Sequence, residues 1–218
     1  MNNLQKRIIT SLIIFPVSIF FIFKGENYIV SFLYAILILG NFEVFSIFKR
    51  KLSIIFLDII LVISLLSILF LRNDTLSSYI LLIWIIIITV LSDIGGYTFG
   101  KIFKWKKLTK ISPKKTLSGT FGSFLLSLSS VFLLGLISEF VSGIDSSFFL
   151  KPRYFLLALL ISLAAQIGDI TISYFKRLEK IKDTGKILPG HGGIFDRIDS
   201  LMFAVIFGLI LYELGLFP

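Results

Sequence analysis

The chain has no cysteine and a single histidine in 218 residues. The first absence excludes disulfides, thiolate nucleophiles and Cys-based metal centres. The second excludes a metal site built on several histidines. Charge is scarce as well: 16% of residues are charged, 56% are hydrophobic, and the mean hydropathy is +0.95. A soluble domain carries roughly 45–50% apolar residues. The apolar residues also lack the alternation of half-buried strands, running instead in continuous blocks, which argues against a β-barrel.

These blocks lie near 8–23, 28–48, 52–71, 79–100, 117–138, 154–175 and 198–217. A helix needs roughly 20 apolar residues to cross the hydrocarbon core. Lipid-exposed backbone must bond to itself, which leaves helices as the spanning element. The expected fold is therefore all-α: a polytopic integral membrane helical bundle of about seven transmembrane helices. The first block is the shortest and contains Pro16. Lys6 and Arg7 precede it as they would a signal peptide, but no small-x-small cleavage site follows, so it reads as an anchor.

Net charge is +9, and its distribution is more telling than its size. With seven spans and a cytoplasmic N-terminus, segments 1–7, 49–51, 101–116 and 176–197 face inward and hold 18 of the 22 Lys and Arg. Only Lys24, Arg72, Lys151 and Arg153 face outward. That asymmetry is what the positive-inside rule expects. It predicts a multi-pass protein of the cell inner (cytoplasmic) membrane with its polar loops on the cytoplasmic side. Part of the basic charge would bind anionic headgroups. The bilayer is thus an expected partner and nucleic acid is not.

No linker, low-complexity stretch or internal repeat divides the chain. Residues 1–78 read as an N-terminal membrane portion of about three spans, poor in chemistry. Its intramembrane acids are Glu43 and Asp58. Glu43 lies about one turn from Lys49–Lys51 and is expected to snorkel or pair there. Asp58 reads as a polar helix contact. Residues 79–218 read as the catalytic membrane portion, with cytoplasmic loops 101–116 and 176–197.

Three polar clusters fall in that portion. The first is Ser92-Asp93-Ile94-Gly95-Gly96-Tyr97, where Gly96 and Gly100 form a small-xxx-small pair that lets helices approach. An acid such as Asp93 inside a span needs a cation, either a metal or a loop lysine. The second is Ser112-Pro113-Lys114-Lys115-Thr116, directly before a span. Free N–H groups at a helix start favour anions, so Lys114 and Lys115 are candidate phosphate binders. The third opens with Gly168-Asp169. Asp169, Ser173 and Lys176 or Arg177 share one helix face. Then come Lys182-Asp183, the turn Leu188-Pro189-Gly190-His191-Gly192-Gly193, and Asp196-Arg197-Ile198-Asp199. The glycines permit positive φ and close approach to a ligand. Asp196 and Asp199 face the same way, as helix caps or as metal ligands.

Cations, a glycine turn and convergent carboxylates suit phosphoryl or nucleotidyl transfer, with Mg²⁺ bound by oxygen ligands. No Walker A sequence is present, and the D-G-x-x-A-R pattern of CDP-alcohol phosphotransferases is absent too. The residues alone leave open a lipid kinase, a transporter using Asp93 and Asp169 as a relay, and a scaffold that docks anionic lipid.

The third cluster resembles the signature of phosphatidate cytidylyltransferases. The match runs through Ser173, Phe175, Lys176-Arg177, Lys182-Asp183, Gly185, Leu188-Pro189, His191-Gly192-Gly193 and Asp196-Arg197-Ile198-Asp199. Gly168-Asp169, Asp93-x-Gly95-Gly96-Tyr97 and Ser112-Pro113-Lys114-Lys115-Thr116 resemble further segments of that family. The family usually continues with Trp-Glu-Gly where this chain has Leu117-Ser118-Gly119.

The resemblance implies condensation of CTP with phosphatidate to give CDP-diacylglycerol and pyrophosphate. It implies Mg²⁺ held chiefly by Asp169 and Asp196, with Asp93 and Asp199 nearby, and a second, monovalent cation such as K⁺. Lys114, Lys115, Lys176 and Arg177 would neutralise phosphates. Ser112, Thr116, Ser173, Lys182, Asp183, His191, Gly192, Gly193 and Arg197 complete the expected substrate-binding set. Oligomeric state is open, a homodimer included.

Overall fold

The apolar blocks fold as helices over nearly all of their described residues, while 8–11 and 13–15 of the first block lie outside those residues. The computed structural model describes residues 12, 16–109, 112, 114–142, 149–185, 187–188 and 192–217. Among these it is all-helical: α1 (16–24), α2 (Glu26–Ile47), α3 (Lys51–Asn73), α4 (Leu76–Phe103), α5 (Leu117–Ser142), α6 (Pro152–Leu178) and α7 (Phe195–Glu213). Two isolated bridges, Lys107–Thr116 and Leu188–Gly192, close turns in the α4–α5 and α6–α7 connections. Helices α2 to α6 are each long and apolar enough to cross a membrane. Helix α7 is 19 residues long and carries Asp196, Arg197 and Asp199 in its first turns. The protein is a multi-pass membrane helical bundle.

Several helices outrun their apolar blocks because polar residues cap them. Thr75 accepts a bond from Ser78 N while Ser78 Oγ accepts one from Thr75 N, a reciprocal cap that starts α4 before its apolar run. Pro152 sits in the first turn of α6, where its missing N–H costs nothing. At its other end α6 continues through Lys176 and Arg177, whose charge suits a helix C-terminus. Helix α4 stops at Lys104, which takes a left-handed conformation (φ 49°) and bonds back to Gly100 O.

In lipid, helices associate through close packing of small residues and buried polar contacts. The most extensive contact is between α4 and α5. A Cβ on Gly95 would run into the Gly122 carbonyl, and one on Gly119 would lie 2.8 Å from Gly96 O. Buried hydroxyls continue the seam. Ser123 Oγ donates to Ser92 O at 2.7 Å, Ser92 and Ser162 hydroxyls meet at 3.0 Å, and Trp84 Nε1 donates to Ser130 Oγ at 2.9 Å.

The core has two apolar clusters. One joins α4 to α7 around Trp84, Tyr154, Ile161 and Val205. The other joins α2, α3, α6 and α7 around Val44, Leu57, Ile172 and Phe195. The two ends of the bundle differ in character. At one end Tyr212 OH donates to Asp74 and bonds to Thr75, and Arg72 Nε donates to Ile22 O. At the other end the described residues of the 48–50, 104–116 and 179–194 connections carry the polar ties Arg50–Glu179, Lys115–Asp169 and Thr184–Asp196.

Candidate active site

Helix α6 supplies the spine of the site. Gly168 brings α7 close: a Cβ there would meet Asp199 O at 2.7 Å and the Phe203 side chain at 2.8 Å. The next residue, Asp169, lies near enough to the start of α7 to act on Asp199. Asp169 and Ser173 lie one above the other, and Ser173 Oγ donates to Asp169 Oδ1 at 3.4 Å. A turn further on, the buried Lys176 bonds to Asp196 Oδ1 at 2.8 Å and lies 3.9 Å from Asp199 Oδ2. The shared face expected of Asp169, Ser173 and Lys176 is present. Arg177 leaves that face, and its Nη1 donates to Ile181 O at 2.7 Å, closing the end of α6.

The loop before α5 supplies the opposite wall. Thr116 Oγ1 accepts from Gly119 N at 3.1 Å, capping α5. Leu108 N bonds to Lys115 O and Leu117 N to Lys106 O, so the connection folds back as a narrow hairpin. This fixes the Lys115 backbone, and its Nζ reaches Asp169 Oδ2 at 2.7 Å. The exposed Lys114 sits beside it. Ser112 bonds through its backbone to Thr109 and Lys115. Leu117 and Ser118, where the family pattern has Trp-Glu, lie at the start of α5. Ser118 is buried and bonds to Thr116 Oγ1 at 3.0 Å and Trp105 N at 3.4 Å.

Between these walls lies a cavity of about 280 Å³. Asp93, Ser112, Lys114, Lys115, Thr116, Gln166 and Asp169 line it together with Ser92, Gly96, Tyr97, Gly119, Thr120 and Ser123. Ser200 Oγ donates to Asp93 Oδ2 at 3.3 Å, tying α4 to α7. Asp93, Asp169 and Asp199, from α4, α6 and α7, are close enough to repel one another. Lys115 and Arg197 act on Asp93, and Lys176 acts on Asp199. Among the described residues no three acids converge closely enough to coordinate one ion directly. Carboxylate oxygens are hard ligands, and acids of like charge this near one another suit a divalent cation such as Mg²⁺ that completes its shell with water or phosphate oxygens.

Asp196 differs from the other acids. Its Oδ1 meets Lys176, and its Oδ2 accepts from Thr184 N at 2.7 Å and Gly193 N at 3.0 Å. Gly192 has φ 88°, and a Cβ on it would press on Asp196 and Asp183. Lys182 and Asp183 are exposed in the same connection. His191, Pro189, Gly190 and Pro113 lie outside the described residues.

Glu43 is where the structure departs most from expectation. It does not turn to Lys49–Lys51. It is buried and accepts bonds from Ile194 N, Phe195 N and Thr184 Oγ1. Its only sequence signal was its placement, an acid inside an apolar span.

Residues 49–214, from the start of α3 to the end of α7, match the cytidylyltransferase family. The chain belongs to that family. It is 30% identical to the phosphatidate cytidylyltransferase of Rickettsia bellii over 209 residues, covering 92% of this chain and 87% of that protein. It is 40% identical to the Helicobacter pylori protein of the same name over 126 residues, 57% of this chain and 44% of that protein. A Staphylococcus epidermidis phosphatidate cytidylyltransferase is 40% identical over 128 residues, 58% of this chain and 46% of that protein. The chain thus aligns with less than half the length of the Helicobacter and Staphylococcus relatives.

Proposed function

We propose that this protein is a metal-dependent nucleotidyltransferase that condenses CTP with phosphatidate, giving CDP-diacylglycerol and pyrophosphate. The observation that carries this is the cavity between α4, α5 and α6. Acids from separate helices face a pair of lysines there. Family membership and the relatives' names agree with it.

The basic wall of Lys114 and Lys115 binds the triphosphate, and the glycine turn reaching Gly193 approaches the nucleotide. Phosphatidate enters sideways from the bilayer with its phosphate toward Asp169 and Lys176. A phosphatidate oxygen then attacks the α-phosphorus of CTP. The bond from that phosphorus to the oxygen bridging to the β-phosphate breaks, and pyrophosphate carries away the electron pair. The nucleophile is already ionised at neutral pH, so no general base is needed and His191 has no proton to take. The protein's work is positioning and charge neutralisation. Asp169 would hold Mg²⁺ together with substrate phosphate oxygens, Asp93 and Asp199 acting on it as nearby acids, and the ion when bound would neutralise phosphate charge during transfer. A monovalent cation such as K⁺ beside it belongs to the same proposal. Asp196, engaged by Lys176 and two backbone amides, orders the connection instead of binding metal. The basic loops support a cytoplasmic side for this chemistry.

The test uses purified protein in detergent with phosphatidate, Mg²⁺ and CTP labelled at either the α- or the γ-phosphate. The proposal expects α-label in lipid and γ-label in pyrophosphate. Label from the γ-phosphate in lipid would instead make the protein a CTP-dependent lipid kinase.

A further inference from the structure

Glu43 has no part in the transfer described above, and it lies outside the stretch 49–214 that matches the family. It is only 1% exposed, and among the described residues it makes no ion pair. A buried carboxylate without a cation is costly unless hydrogen bonds satisfy it. Ile194 N donates to both of its oxygens at 2.9 and 2.8 Å, Phe195 N donates at 3.2 Å, and Thr184 Oγ1 at 3.4 Å.

Those amides open α7. Ile194 stands at its cap position and has no side chain able to cap, so Glu43 supplies from α2 the carboxylate that a local Asp or Ser would provide. Thr184 is gripped twice, its hydroxyl by Glu43 and its N–H by Asp196. Gly193 is held by Asp196 through its N–H, and a Cβ on Gly185 or Gly193 would lie 2.5 Å from a Glu43 oxygen. Both ends of the 184–193 connection are therefore clamped by a carboxylate from the N-terminal helices. A second tie lies nearby: Arg50 N donates to Glu179 Oε1 at 3.0 Å, and Phe56 stacks on Phe175 at 4.7 Å.

We infer that Glu43 is a positioning residue for nucleotide binding. It pins the described ends of the 184–193 connection and the start of α7 to α2, so that Lys176 stays paired with Asp196 and Asp199 stays near Asp169. This rests on the nucleotidyltransferase reading above. Glu43 touches no substrate and acts through Thr184 and the α7 amides. Its charge is part of the device, because a carboxylate offers acceptors only. The nearly isosteric Glu43→Gln turns an NH₂ donor toward the amides and leaves one donor unmatched.

The test compares wild type, Glu43→Gln, Glu43→Asp and Thr184→Val, each as the full chain in detergent. Backbone hydrogen exchange and steady-state kinetics are both measured. Glu43→Gln is expected to speed exchange across 184–195 about tenfold or more while α5 is unchanged. Its KM for CTP rises about tenfold, with a smaller fall in kcat. Glu43→Asp, which keeps the charge on a shorter stem, falls between Glu43→Gln and wild type. Thr184→Val moves both readouts the same way by less, and carries the test if Glu43→Gln does not fold. A lower melting temperature with loop exchange and KM for CTP unchanged would overturn the inference and leave Glu43 a purely structural residue. If wild type transfers no cytidylyl group, the enzymatic reading fails. The exchange arm then still decides whether Glu43 holds the connection.

Discussion

Lys115 and Asp169 meet across the cavity at 2.7 Å, one from the hairpin before α5 and the other from inside α6. The pair meets the cost of an acid inside a span, which needs a cation. The pair marks where the acidic and basic halves of the site join.

Lys115→Met should therefore affect catalysis far more than stability. The pair is partly exposed, so its loss costs folding about 1 kcal/mol or less. Transfer should fall about a hundredfold or more, as when a preorganised charge on the transition state is removed. Lys115→Arg keeps the charge with a different geometry and should recover part of the rate. Initial rates at saturating CTP, read beside melting curves in detergent, check this.

Lys176 should show the opposite balance. It is buried against Asp196 and Asp199, and removing it strands two acids. Lys176→Met should destabilise the fold by about 3–5 kcal/mol. The double variant with Asp196→Asn should be less damaged than the sum of the single changes, because the charge left behind is smaller. Thermal unfolding of the four proteins of that cycle measures the coupling.

The α4–α5 seam predicts a packing defect. A Cβ on Gly122 would lie 2.5 Å from both Gly95 O and the Phe99 side chain. Gly122→Ala should cost about 1–3 kcal/mol by forcing the helices apart. It should also lower activity, since α4 carries Asp93 and α5 carries the capped end beside Lys115. Melting temperature and transfer rate should fall together.

Metal dependence should follow the three repelling acids. Chelation should abolish transfer and Mg²⁺ should restore it. Asp93→Asn and Asp199→Asn should each raise the Mg²⁺ concentration for half-maximal rate about ten- to a hundredfold. Asp196→Asn should change that concentration little, while loosening the 184–193 connection. Mg²⁺ titrations of the transfer rate separate the two roles.

The helical membrane architecture was legible because lipid permits few backbone solutions and the apolar blocks have the right length. So was the α6 face: spacing alone aligned Asp169, Ser173 and Lys176, which the structure joins. Helix ends were less legible, since the Thr75–Ser78 cap and the Pro152 start extend helices past their apolar runs. Arg177 was grouped with Lys176 by spacing, but a helix leaves room for only one of two neighbours on a given face, and Arg177 closes the helix instead. The role of Glu43 was hidden because its partners, Ile194 and Phe195, are backbone amides about 150 residues away that leave no trace in side-chain pattern.

The most direct test of the central claim is transfer of ³²P from α-labelled CTP into phosphatidate by the purified protein with Mg²⁺, with Asp169→Asn alongside. The account predicts labelled CDP-diacylglycerol from wild type and a loss of about a thousandfold or more in the variant. Unlabelled lipid from wild type at saturating phosphatidate, CTP and Mg²⁺, or a variant as active as wild type, would contradict it.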